Sequence, residues 1–480
     1  MCRLTMRPKT LSAVIGALLL PIGAVATAAT GPSSSAPPYL TPIADGVEFA
    51  SILTVGDAVK KKHQGNETYR MVGIPDGLGA YDNGDGTLTV LMNHELGNSA
   101  GIARTHGGKG AFVSKWQIRK SDLAVLNGED LIETVKLWNG TEYVDTADVA
   151  FNRFCAAELA APTAFFNSHT GKGFNEGRIY MNGEEVDAVG RAFAHMAAGR
   201  QHGTTYELPM LGKAAWENVV ASPYEQDKTV VAGLDDGALG NSKLFFYVGE
   251  KQEEGSPVEL AGLTNGLTLQ VAIDGYGVEP PVGFTSARFS LGSSGTGLNR
   301  VEDGNWDTQN PNRFYFVTTA SFANADQGKQ NSRLWRVTFD DIRNPSLGGT
   351  IEVLVDGDLV APKVKMMDNM TVDAAGNVWI QEDVGNQAHL GKIWKFEPAT
   401  GALTLAAQHD ASRFLVGGAN YLNTQDEESS GIVEVSEMFK DVEGYDVVNN
   451  RYFLVDAQAH YGIPGELVQG GQLLMMKTAR

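Results

Sequence analysis

Cysteine is almost missing from this chain: its 480 residues include two, Cys2 and Cys155. Cys2 falls in a segment with the marks of an export signal. The exported chain is therefore expected to carry Cys155 alone and can close no internal disulfide. Positive charge is short as well, with 38 Lys and Arg against 57 Asp and Glu and a net charge of -19. Such a chain repels phosphates, which excludes a general nucleic-acid or anionic-membrane binder. Any phosphate it does hold has to be met by bound cations. Long apolar runs are absent after Leu11 to Ala26, so a multi-span membrane protein is excluded. Histidine is thinly scattered and HExxH does not occur: Leu96, Gly97 and Asn98 follow His94-Glu95. A three-histidine zinc site is therefore unsupported. There is no Walker loop and no GxGxxG unit, and Gly292-Ser293-Ser294-Gly295 lacks the spacing of a hydrolase elbow. Asp82-Asn83-Gly84-Asp85-Gly86 starts like a calcium loop but has Asn93 at its twelfth position, so a hairpin turn is predicted.

What is present is strand texture. Residues 1–28 read as a secretory signal, with Arg3, Arg7 and Lys9 before the apolar run and Ala26-Thr27-Ala28 as the cleavage site. Residues 29–50, rich in Ser and Pro, are expected to be a flexible leader. From there to residue 480 a single domain is expected, built of short apolar runs such as Thr87 to Met92, Lys243 to Val248, Arg313 to Thr318 and Asn377 to Gln381. Turn pairs punctuate them, among them Asp85-Gly86, Asp236-Gly237 and Asn265-Gly266. Residues 101–150 look different and are expected to form a helical or irregular insertion. That much strand exceeds one sandwich or a small barrel but suits an all-β propeller of about six blades.

Several strands end in acids or amides: Asn93-His94-Glu95, Asn182 to Glu185, Asp235-Asp236, Glu382-Asp383 and Asp456-Ala457-Gln458. Each alone is a solvated turn. In a propeller, however, equivalent strand ends meet at one mouth of the central channel, where converging carboxylates with few histidines describe a hard-cation site. Cys155 can be a small core residue, a metal thiolate or a nucleophile.

The ordered motifs resemble the PhoX-type alkaline phosphatases, exported bacterial six-bladed propellers. The likeness runs through Leu91-Met92-Asn93-His94-Glu95, Cys155 after Asn152-Arg153-Phe154, and Glu184-Glu185. It continues through Leu211-Gly212-Lys213 to Trp216-Glu217, Asn299-Arg300-Val301-Glu302-Asp303, and Met367-Asp368-Asn369 to Trp379. Glu428 with Gly431 and Gln458 to His460 complete it. Trp216 and Val301 replace the usual histidine and proline, and the glycine-rich stretch after the cysteine is absent, so the chain resembles a divergent branch.

The resemblance implies two ferric ions and several calcium ions in the channel. It makes Cys155, Glu217 and Glu302 iron ligands, Glu95, Glu185 and Glu428 further metal ligands, and Arg300 the phosphate clamp. Asn93, His94, Asp303, Asp368, Asn369 and His460 are second-sphere candidates that orient the ligands. The expected function is an exported, periplasmic or extracellular phosphatase for small phosphate monoesters. No nucleic-acid partner and no membrane insertion after signal removal are expected, and no protein partner can be inferred. The alternatives are a calcium-stabilised binding module without catalysis, or a phosphodiesterase or other ester hydrolase in the same site.

Overall fold

Six blades stand around a central axis, each built on four strands that start at the axis and run outward as an antiparallel meander. The computed structural model describes residues 28–63, 65–320 and 332–480. The innermost strands are Pro75–Asp82, Phe154–Leu159, Trp216–Ala221, Val301–Trp306, Met367–Val372 and Glu427–Glu434, here the inner strands of blades 1 to 6. Each packs against the next, and that of blade 6 packs back against blade 1, so the ring is closed. Strand Ser286–Gly292 pairs with the outermost strands of both blade 3 and blade 4, joining the two blades into one nine-stranded sheet.

Second strands such as Thr87–His94 are buried at every position, because in a propeller both faces of a blade are covered by its neighbours. That is why they read as continuous apolar runs rather than alternating ones. Trp216, Trp306 and Trp379 lie fully buried between blades, where aromatic rings fill the wedge-shaped gaps.

Two expectations are corrected. Residues 101–150 contain no helix: Phe112–Arg119 and Val125–Asp130 are the outer strands of blade 1, and Thr134–Trp138 and Tyr143–Asp145 extend the outer edge of blade 2. The Lys, Gln, Leu and Glu content that suggested helix is overridden by pairing within the sheet. Nor is 29–50 a loose leader. Ala29–Thr30 pairs with Ala50–Ser51, Leu40–Pro42 joins the edge of blade 5, and Tyr39 and Leu40 are buried. Glu48–Thr54 then supplies the fourth strand of blade 6, so the two chain ends share one sheet and lock the ring. The expected export signal lies outside the described residues except for Ala28. No helix among the described residues is long and apolar enough to cross a membrane.

Close approach at the axis depends on glycine. A Cβ on Gly77 would come within 2.4 Å of the Ala157 nitrogen, and one on Gly431 within 2.8 Å of Leu78 Cγ. Gly77→Ala is expected to cost about 1–3 kcal/mol by overpacking the inner ring, read as a lower urea midpoint.

Candidate metal centre

One position recurs in all six blades. The second residue of each inner strand is Asp76, Cys155, Glu217, Glu302, Asp368 and Glu428 in turn. In every blade the pairing between inner and second strand slips by at least one residue close to this position. Such bulges bend the strand and re-aim its side chain. A second position follows from the first. The residue just past the second strand, or in blade 6 at the matching point within it, donates its N–H to the carbonyl two residues before the first position. The pairs are Glu95 to Ile74 (3.0 Å), Glu185 to Arg153 (2.9 Å), Asp236 to Ala215 (2.8 Å), Thr319 to Arg300 (3.1 Å), Asp383 to Met366 (3.1 Å) and His460 to Asp426 (2.9 Å). The fold thus builds the same corner six times, and the sequence fills most of the corners with acid.

These corners enclose a cavity of about 210 Å³ at one mouth of the channel. It is lined by Glu95, Glu185, Glu217, Asp236, Glu302, Asp368, Asp383, Asp426 and Glu428 together with Cys155. Against these nine carboxylates stand Arg153, Arg300 and His460. Donor atoms group tightly: Asp76, Glu95 and Cys155, then Cys155, Glu185 and Glu217, then Glu217, Glu302 and Asp368, with the atoms of each trio within 4.8 Å of one another.

The electrostatic cost falls on the charged forms of these groups. Burial, followed by Glu428, Glu95 and Glu217, pushes Asp76 well above the usual carboxylate range. Burial and then Glu185 do the same to Glu217; burial and then Asp236 do it to Glu302; burial and then Glu302 do it to Asp368. The Cys155 thiol, donating to Asp76 Oδ2 at 3.4 Å, is pushed up by burial and by that carboxylate. Buried acids packed this closely need cations to ionise together. The donor set suits them: the trios holding Cys155 combine sulfur and oxygen as a transition ion accepts, and the all-oxygen trio suits a hard cation.

The two arginines sit among these acids. Arg300 Nε and Nη2 reach Asp236 at 2.8 and 2.5 Å, and Nη2 lies 2.9 Å from Glu302. Burial opposes its charge, but Glu302 and Asp236 outweigh this and raise its pKa. Arg153 Nη2 lies 2.8 Å from Glu95 Oε1, and its Nε donates to Glu185 at 3.1 Å. Both arginines adopt positive φ, 47° for Arg153 and 61° for Arg300, a conformation that costs a non-glycine residue about 1–2 kcal/mol.

Of the sequence-predicted residues, Glu95, Cys155, Glu185, Glu217, Glu302, Glu428 and Arg300 all line the cavity. Asp368 sits in a donor trio itself rather than behind one. His460 faces Glu428 at 3.9 Å and its Nδ1 donates to Gln469 Oε1 (2.6 Å); burial pulls its pKa down, but Glu428 more than offsets this and holds it at about 9. Asn93 lies behind the site, its amide donating to the Cys155 carbonyl at 2.7 Å. Asn369 donates to Asp76 Oδ1 at 3.3 Å.

Two of the second-sphere expectations are corrected. His94 turns away: its ring bonds the Gly73 carbonyl and Ser114 Oγ, stacks on Phe112, and burial holds its pKa near 3. Successive strand residues face opposite sides, so Glu95 enters the site and His94 cannot. Asp303 is turned from the mouth for the same reason. It accepts from Asn218 and from the amides of Gly304 and Met370, tying blades 3, 4 and 5 together. Asp303→Ala is expected to destabilise the fold by about 2–3 kcal/mol, since it strands three buried donors, while leaving metal content unchanged. Chemical denaturation beside elemental analysis checks both parts.

Sequence reasoning assigned no role to Asp76, Arg153 or Asp426, and it named Asp236 and Asp383 only as acids at strand ends. Gln458 also gains one, donating to Asp76 at 2.9 Å and to Glu95 at 3.2 Å. The signal for Asp76 was the motif shared with other blades, an apolar residue, then an acid, then a small or amide residue, as in Pro75-Asp76-Gly77, Trp216-Glu217-Asn218 and Met367-Asp368-Asn369.

No protein-family model and no curated protein matches the chain. Among solved structures, the chain is similar to Pseudomonas fluorescens PhoX in complex with vanadate, a transition state analogue. The two are 12% identical, with a TM-score of 0.63, over 94% of this chain and 97% of that one. A Trypanosoma rangeli sialidase is 10% identical over 91% of this chain and 60% of its own, with a TM-score of 0.36. A subtype N10 neuraminidase-like protein of A/little yellow-shouldered bat/Guatemala/060/2010 is 9% identical over 92% and 99%, with a TM-score of 0.38. At such identities the PhoX likeness speaks to fold, and the other two carry no weight. The chain has a PhoX-like propeller fold with a carboxylate-rich, metal-binding type of cavity at its axis.

Proposed function

We propose that this protein is an exported metal-dependent phosphatase that hydrolyses phosphate monoesters, with iron and calcium held at the axial cavity. The observation that carries this reading is the convergence of one thiol and nine carboxylates with Arg300 in a single cavity. A purely structural acid ring does not need a buried sulfur. The vanadate held by the PhoX neighbour supports a phosphate-like oxyanion as the ligand.

Cys155, Glu185 and Glu217 would hold iron beside Glu302, while Asp368, Glu428 and Glu95 would complete oxygen shells for calcium. Bound ions supply Lewis-acid polarisation of the phosphoryl group and neutralise its charge. The chain does the rest. Arg300, now paired with Asp236 and Glu302, would turn donors to the non-bridging oxygens once those acids face bound ions. Gln458 and Asn369 hold Asp76, and His460 stands 3.9 Å from Glu428.

The test is turnover of p-nitrophenyl phosphate at alkaline pH together with metal content. Activity that tracks bound metal is expected, and a metal-free, inactive protein after supply of both ions would contradict the reading. Arg300→Gln is expected to lower kcat by about 10²–10³, the usual effect of losing one donor to a developing oxyanion, with metal content retained.

A further inference from the structure

Arg153 occupies in blade 2 the place that Arg300 occupies in blade 4. Each lies two residues before its blade's recurrent axial residue, Cys155 and Glu302 respectively. Each has the left-handed backbone that Ile74 and Met366 also show at this corner, and each carbonyl accepts from the residue just past its own blade's second strand, Glu185 or Thr319. Each guanidinium also reaches back to the second-strand acid of the preceding blade, Arg153 to Glu95 and Arg300 to Asp236. The same position in blades 1, 3 and 5 holds Ile74, Ala215 and Met366, and in blade 6 Asp426. Among the six equivalent corners, then, two carry arginine, and these two flank blade 3.

We infer that Arg153 is a second anion-binding residue, which grips the phosphoryl oxygens from a point two blades round the ring from Arg300. The inference rests on the proposed phosphatase reading and extends it. A packing or purely ion-pairing role explains Arg153 poorly. Its side chain remains 49% exposed, against 21% for Arg300, although both line the same cavity. An arginine needed only to neutralise Glu95 and Glu185 gains nothing from facing solvent. The acids it touches belong to the set proposed to hold cations. When those carboxylates turn their charge to bound ions, the guanidinium keeps its place and its donors face the cavity. A phosphoryl dianion seated over the ions then meets one fork from blade 2 and another from blade 4. The favoured ligand is a compact tetrahedral oxyanion with at least two non-bridging oxygens free, as a phosphate monoester has and a fully esterified phosphate lacks.

The test uses the metal-loaded protein and measures inorganic phosphate binding by titration calorimetry beside metal content by elemental analysis. Arg153→Gln is expected to weaken phosphate binding about tenfold to a hundredfold, the range for a hydrogen bond between charged groups, with metal content equal to wild type. Arg153→Lys is expected to recover part of that loss, since it restores charge but not the fork. Unchanged phosphate affinity in Arg153→Gln, with Arg300→Gln impaired, overturns the inference alone. Loss of metal from Arg153→Gln also overturns it, by making Arg153 a support for Glu95 and Glu185. A metal-loaded wild type that binds no phosphate overturns this inference and the phosphatase reading together.

Discussion

Chelation at pH 8 is expected to lower the thermal midpoint of this protein sharply, and the same treatment at pH 5 to lower it far less. The sign follows from the cavity. Asp76, Glu185, Glu217, Glu302, Asp368 and Asp383 all have folded-state pKa values well above their ordinary ones, with burial as the largest cause. The folded state therefore holds more protons than the unfolded one. Without metal, stability is greatest below the ordinary carboxylate pKa of about 4 and is lost steadily as pH rises towards the raised values. Cations reverse the trend, because they replace those protons and bind best when the acids are ionised. Each ion held at a thousandfold its Kd adds about 4 kcal/mol. Differential scanning calorimetry with and without chelator at both pH values measures the effect. A metal-free protein that grows more stable from pH 5 to pH 8 would contradict it.

Glu217→Gln is expected to have the largest effect of any single substitution on metal loading and turnover. Glu217 belongs to two donor trios, with Cys155 and Glu185 on one side and Glu302 and Asp368 on the other. Losing its charge weakens both. Because polarisation of a phosphoryl group by metal is worth several kcal/mol, turnover should fall at least about a hundredfold. The metal-free variant should nevertheless be no less stable than metal-free wild type, since the change removes one buried, repelled carboxylate and keeps its shape. A structural glutamate would show the opposite, with lower stability and intact metal binding. Elemental analysis, turnover and urea denaturation of the metal-free forms separate the two.

The propeller was legible in the sequence because its evidence is local and repeated: strand-length apolar runs, turn pairs between them, and too much chain for a smaller β-fold. The segment 101–150 misled because Lys115, Gln117, Leu123 and Glu129 favour helix locally, whereas pairing with Thr87–His94 decides the outcome. The leader misled for a related reason. Its Ser and Pro content describes a free chain, but closing the ring gives Tyr39 and Leu40 an apolar seat.

In the site, the residues at the ends of apolar strands were visible as acids after strands, Glu95, Glu185, Asp236 and Asp383 among them. Which neighbour enters the cavity depends on the parity of the strand and on the bulge, and that is what separates Glu95 from His94 and Glu302 from Asp303. Asp76 and Arg153 went unassigned because their meaning lies in equivalence between blades. Loops of unequal length hide that equivalence from a search for fixed spacing.

The central claim is that the six corners gather their acids and thiol around bound cations. Anomalous scattering from crystals grown with iron and calcium, recorded on both sides of the iron edge, tests it most directly. The account predicts an iron peak within bonding distance of Cys155 Sγ and the Glu217 carboxylate. Crystals of the same protein whose axial cavity shows no anomalous density would contradict it.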